Sequence, residues 1–274
     1  MTWSEPLDIL RVGRLGKFMK HTNGSRIRRC AAAPEELAGN AASALPHYYE
    51  ALFSALGPRR WWPAKTPFEV IVGAILTQNT SWVNVERAIE NLRREGMLSV
   101  RSIVRAPLGK LEHLVRPSGY FRQKARNLKA FAQFLRASFG GSLTRMFRAA
   151  VPELREKLLA VRGIGPETAD SILLYAGRHP VFVVDAYTRR ILERHALIPG
   201  GRLGYEEIRS VFETSLPRDT QLYNEFHALI VDVGKKWCRK KNPRCEECPL
   251  RPFLPVEKAV RAPEMFPAAV EALP

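Results

Sequence analysis

Apolar residues recur along most of this chain at intervals of three and four, the period of helices with one buried face. From Pro34, PEELAGNAASALPHYYEALFSAL gives one helix or two, because Pro46 interrupts the pattern. PFEVIVGAILTQNT places Phe68, Ile71, Val72, Ile75 and Leu76 at helical spacing. Its β-branched residues would also suit a strand, but its length and the helical patterns after it favour a buried helix. SWVNVERAIENLRREG is amphipathic, with Val83, Val85, Ala88, Ile89 and Leu92 as its apolar positions. Further helical patterns fall at about 99–106, 108–115, 121–138, 151–161, 166–176, 185–196, 204–215 and 219–233. VFVV at 181–184 reads as a strand but has no second strand to pair with. The fold class is therefore all-α.

Within that pattern LLAVRGIGPETADSILLYA (158–176) is two apolar helical segments around a glycine turn. Gly163 and Gly165 can take positive φ and leave no side chain in a ligand's way. Pro166 suits the first position of the second helix. The N–H groups at that start carry positive dipole character and suit a phosphate, with Ile164 between the glycines contributing backbone. An ordinary helical corner remains the alternative. Glu167 has a simple role as an acid beside its own helix start. Downstream, Asp185 follows VFVV and precedes a helix, which makes it an N-cap. A cap beside an apolar wall is also a partly desolvated carboxylate, able to stabilise a cationic sugar or orient water. A weaker echo of the hairpin runs through LVRPSGYFRQKARNL (114–128).

Composition narrows the partners. The chain has 274 residues, 46% of them hydrophobic, a formal charge of +16 and a pI of about 10.1. That excess points to an anionic partner, nucleic acid before a membrane surface. No apolar run is long enough to span a membrane and the start lacks a secretory layout, so an intracellular protein is expected. Residues 1–33 form a basic arm and 256–274 an Ala/Pro/Glu-rich tail. Cys238, Cys245 and Cys248 cluster near the C-terminus while Cys30 stands alone. Such clustering suggests a metal site more than disulfides.

Taken together, the glycine hairpin, the following Gly/Pro loop and Asp185 resemble the helix-hairpin-helix DNA glycosylase superfamily, over roughly residues 50–250. AILTQNTSWVNVERAI, LVRPSGYFRQKARNL and YNEFHALIV resemble it as well. The resemblance implies a two-lobed helix-hairpin-helix DNA glycosylase fold with a C-terminal cysteine loop. The expected division is 34–62 plus 150–235 for the lobe with hairpin and Asp185, 63–149 for the other lobe, and 236–255 for the cysteine loop. It implies Asp185 as the catalytic carboxylate and Gln78 as a wedge in the DNA stack. Gly163, Ile164, Gly165, Gly119 and Lys124 become DNA contacts, and His227 could touch DNA or Asp185.

Relatives of the endonuclease III type carry a lysine in the second hairpin helix that forms a Schiff base and cuts the strand. The corresponding position here is Glu167, which implies a monofunctional enzyme. WWPAKTPFEVIVGAILTQNTSW, VRPSGYFRQKA and GIGPETADSILLYA are similar to the 3-methyladenine glycosylase III type. That similarity implies damaged double-stranded DNA as partner, a monomer, and alkylated purines as substrates. Trp62, Trp82 and Trp61 are the implied lining of the base pocket, where a cationic base would gain cation–π stacking. Another lesion, or a non-catalytic DNA-binding module, remains as an alternative. In endonuclease III relatives a fourth cysteine completes a [4Fe–4S] cluster. Here Leu254 stands at that place, leaving the cluster one ligand short. The open options are an unusual fourth ligand, a degenerate site, or zinc completed by His or by a cysteine such as Cys30.

Overall fold

The computed structural model describes residues 34–59, 64–198 and 203–255. Within them the chain is helical, without strands. Its described residues divide into two compact units, 64–177 and 35–59 with 178–198 and 203–255. Trp61, Trp62, Cys30, the basic arm and the C-terminal tail lie outside the described residues.

Helix α1 (Pro34–Leu56) is continuous through Pro46. Its buried positions Ala41, Leu45, Tyr48 and Leu52 keep helical spacing across the proline, so one apolar stripe carries the helix past the missing N–H.

The first unit is built around α2 (Pro67–Leu76). Thr66 caps it by accepting from Glu69 N, and every residue from Phe68 to Leu76 is buried. Such a run lacks a polar face because neighbours surround the helix. Those neighbours include α3 (Trp82–Arg94), α6 (Phe121–Phe139) and α9 (Pro166–Ser171) with the π-helical turn Ile172–Ala176 that continues it. Between α3 and α6 lie α4 (Val100–Arg105), α5 (Leu108–Leu114) and a 3-10 turn at Arg116–Ser118. After α6, α7 (Leu143–Phe147) and α8 (Val151–Leu159) lead to the hairpin. Buried Glu69 is paired with Arg93 at 2.7 Å.

The hairpin segment groups with 64–149, and the boundary falls at Gly177 rather than near residue 150. Helix α2, buried on every side, packs against α9 and the 172–176 turn.

The second unit holds α1, α10 (Ala186–Arg194), α11 (Tyr205–Ser215), α12 (Thr220–Lys236) and the cysteine loop. Phe182 stacks on Phe212 with centroids 3.8 Å apart and meets Tyr223 edge-on at 5.5 Å. Helices α10 and α12 pack closely: a Cβ at Gly234 would fall 2.2 Å from the Tyr187 ring, so only glycine fits. VFVV is extended and buried but joins no ladder. Side chains meet its backbone instead. Phe182 N donates to Glu213 Oε1 at 2.9 Å and Val184 N to the Tyr205 hydroxyl at 3.4 Å.

Candidate functional site

In the first unit, α8 and α9 are joined by the glycine turn. Gly163 has φ +79, a conformation that favours glycine. Gly165 does not: its φ of −92 and ψ of −179 are ordinary extended backbone. The expectation of positive φ thus holds for one glycine of the two. Ile164 is buried and its N–H donates to Val161 O at 3.1 Å, which anchors the turn from inside. Gly165, Pro166 and Glu167 are exposed at the start of α9. A Cβ at Gly165 would meet nothing within 4 Å, so the backbone there is open to a ligand. Arg155 of α8 clamps Asp170 of α9 with two bonds, Nε to Oδ1 at 2.7 Å and Nη2 to Oδ2 at 3.0 Å. Asp170 is wholly buried, so the two arms of the hairpin are locked by a desolvated ion pair.

Gln78 lies in the turn after α2. Its Nε2 donates to Gly163 O at 3.0 Å and to Thr168 Oγ1 at 2.9 Å. The residue expected to reach DNA is therefore bonded to the hairpin in this state. Lys124 requires a correction. It is buried and its ammonium donates to Ser118 O at 2.6 Å, holding the turn before α6 rather than presenting a charge outward. Burial pulls its pKa down to about 8. Gly119 has φ +68 with open space beside it, and next to it Tyr120 is 63% exposed with φ +44. Trp82 starts α3 and its indole N–H donates to Glu86 at 2.8 Å.

In the second unit Asp185 caps α10. Its Oδ1 accepts from Thr188 N at 2.7 Å and from Thr188 Oγ1 at 2.9 Å. Oδ2 is left toward His227 Nε2 at 3.7 Å, longer than a hydrogen bond. His227 is buried, and that burial lowers its pKa against the opposing pull of Asp185, which keeps the imidazole neutral near pH 7. The carboxylate is thus oriented by one oxygen, with the other toward a neutral ring.

Around the cysteines, Cys238 is buried and its Sγ accepts from Arg194 Nη1 at 3.2 Å, while Arg190 Nε donates to its carbonyl at 2.7 Å. Burial pushes the Cys248 thiol up to about 11 and also raises Cys245. Among the described residues no group of three or more His, Cys, Asp or Glu is arranged to hold a metal. With Leu254 in the fourth position and a guanidinium on the first sulfur, these residues do not fit a four-thiolate shell. Lys235, Lys236, Arg239, Lys240, Lys241 and Arg244 are exposed along the same segment. Among the described residues no helix is long and apolar enough to cross a membrane.

Thr168, Asn127, Arg155 and Tyr120 were not legible as site residues. Thr168 meets Gln78 90 positions away, Asn127 lies against the Gly163 turn, and Arg155 reaches Asp170 across the hairpin, and periodicity carries no such signal. Tyr120 could have been suspected from an aromatic beside Gly119 in a basic turn.

Comparison with known proteins agrees with this geometry. A family model described as HhH-GPD superfamily base excision DNA repair protein matches residues 72–218. A Methanocaldococcus jannaschii protein, provisionally named a DNA repair glycosylase, is 46% identical over 75% of this chain and 93% of its own. The crystal structure of the H. pylori 3-methyladenine DNA glycosylase bound to 1,N6-ethenoadenine is 30% identical, with a TM-score of 0.58 over 74% of this chain and 97% of that one. A non-covalent endonuclease III–DNA complex shares the fold at 20% identity, with a TM-score of 0.67 over 78% and 94% of the two chains.

Proposed function

We propose, from the premise that this chain belongs to the HhH-GPD superfamily of base excision DNA repair glycosylases, that it is a monofunctional enzyme releasing alkylated purines from duplex DNA. The observation that carries the monofunctional reading is Glu167, exposed on the first turn of α9, where a strand-cutting relative needs an amine. A carboxylate cannot form a Schiff base with the sugar. Support for the lesion class comes from the similarity to the H. pylori 3-methyladenine glycosylase.

The chemistry suits a single carboxylate. A 3-alkylated purine is cationic and leaves with the electrons of its C1′–N bond without prior protonation. Asp185, held by Thr188 through Oδ1, offers Oδ2 to stabilise the cationic sugar or to orient the water that adds to C1′. The target base must leave the stack to react. Gln78 fills the gap it leaves, and Trp61, Trp62 and Trp82 hold the cationic ring. The backbone at Gly163–Gly165 grips a phosphate, and the exposed basic residues of 235–244 offer their own charge to the DNA backbone. None of these steps involves the cysteines.

A panel of duplexes carrying 3-methyladenine, 7-methylguanine, hypoxanthine, uracil, thymine glycol or a T·G pair tests the reading. Release of the alkylated purines with an intact abasic strand, and no borohydride-trapped adduct, is expected. A trapped covalent adduct rules out the monofunctional assignment, and activity confined to oxidised pyrimidines rules out the lesion class.

A further inference from the structure

Asn127 on α6 is 1% exposed, and neither Nδ2 nor Oδ1 makes a hydrogen bond. An orphaned buried amide is costly, and a fold that retains one calls for a reason. Its position supplies one. A Cβ built on Gly163 would fall 2.1 Å from Asn127 Nδ2 and 2.3 Å from Oδ1, so the amide lies directly against the hairpin turn. The carbonyl of the same glycine is held by Gln78 Nε2, which also serves Thr168 Oγ1. An amide nitrogen has two protons, and Gln78 has spent both. Gln78 cannot keep these bonds and also enter a base stack.

We propose that Asn127 is a positioning residue that takes over the Gly163 carbonyl from Gln78 when the protein binds DNA. This rests on the reading of Gln78 as the wedge. In the free protein Gln78 holds the turn while the Asn127 amide stands unpaired behind it. In the complex Gln78 departs and Asn127 Nδ2 rotates to Gly163 O. The turn keeps its shape, and so does the backbone surface offered to the phosphate. Gly163 makes the exchange feasible, because any Cβ there would separate the amide from the backbone it must reach.

The test uses the full chain, a duplex carrying a tetrahydrofuran abasic analogue, and the variants Asn127→Leu, Gln78→Ala and their combination. Asn127→Leu keeps the volume but cannot donate. It is expected to leave the melting temperature of the free protein unchanged or raised, and to weaken binding to the duplex about tenfold. In the Gln78→Ala background Asn127 already holds the carbonyl, so there the same substitution lowers the melting temperature. That reversal of sign between backgrounds is what a purely structural role cannot produce. Equal duplex affinity of Asn127→Leu and the parent overturns the proposal, as does a melting temperature lowered in the parent background. If Asn127→Leu does not fold, Asn127→Met takes its place, and failure of both counts against the exchange. Should Gln78→Ala bind the duplex as tightly as the parent, the wedge reading itself has failed. Weakening by Gln78→Ala alone removes only the exchange.

Discussion

Replacing Gly163 with alanine tests the hairpin most directly, because the structure separates two penalties there. The first is conformational. Gly163 sits at φ +79, where an L-residue costs roughly 1–2 kcal/mol more than glycine. The second is steric. The new Cβ would lie 2.1–2.3 Å from all three terminal atoms of Asn127, closer than any real contact. Asn127 sits in a buried wall, so relief requires repacking, at about 1–3 kcal/mol. Gly163→Ala should therefore lose roughly 2–5 kcal/mol in urea unfolding, with an unchanged m value. Combining it with Asn127→Ala should recover the steric part, giving a coupling of about 1–3 kcal/mol in the double-mutant cycle. Gly165→Ala is the internal control. Its φ is −92 and its Cβ meets nothing, so folding should change by less than about 0.5 kcal/mol, while a methyl on the exposed backbone weakens duplex binding. A Gly163→Ala loss below about 1 kcal/mol, or no relief from Asn127→Ala, would refute the close-approach argument.

Three other outcomes follow from the same geometry. Arg155→Met strands the buried Asp170 carboxylate and should cost about 3–5 kcal/mol in urea unfolding, whereas Arg155→Met with Asp170→Leu should recover most of that. Lys124 has its pKa pulled from 10.5 to about 8, so between those values the unfolded chain holds a proton that the folded one has released. Stability therefore gains a rising component from about pH 8 to about pH 10.5, with a slope of at most about 1.4 kcal/mol per pH unit, and the difference between parent and Lys124→Met unfolding curves should show it. Asp185→Asn keeps a capping oxygen for Thr188 N, so its melting temperature and duplex affinity should stay near the parent's while base release is lost; Asp185→Ala should lose base release and about 1 kcal/mol of stability as well.

Much of the helical framework was readable because its cause is local. The apolar spacing of α2, the amphipathic face of α3 and the Asp185 cap each depend on residues a few positions apart. Helix α7 escaped because five residues give too little periodicity to register. The resemblance implies Lys124 as a DNA contact, but its ammonium bends back on Ser118 O, which only tertiary packing reveals. Gln78 stands out only through the family resemblance. Its bond to Gly163, 85 positions away, does not show in the sequence. The orphaned amide of Asn127 is a property of the packed state alone.

The buried VFVV segment carries a consequence for how this protein is lost as well as how it works. Four apolar residues of high strand propensity sit with their backbone held by Glu213 and Tyr205 of α11, not by a neighbouring strand. Fraying of α11 uncovers at once a sticky sequence and an unsatisfied edge, the two ingredients of intermolecular β-pairing. Inactivation on heating should then depend on protein concentration and proceed by aggregation. Strengthening α11 should extend the working lifetime of the preparation without touching a residue assigned to catalysis.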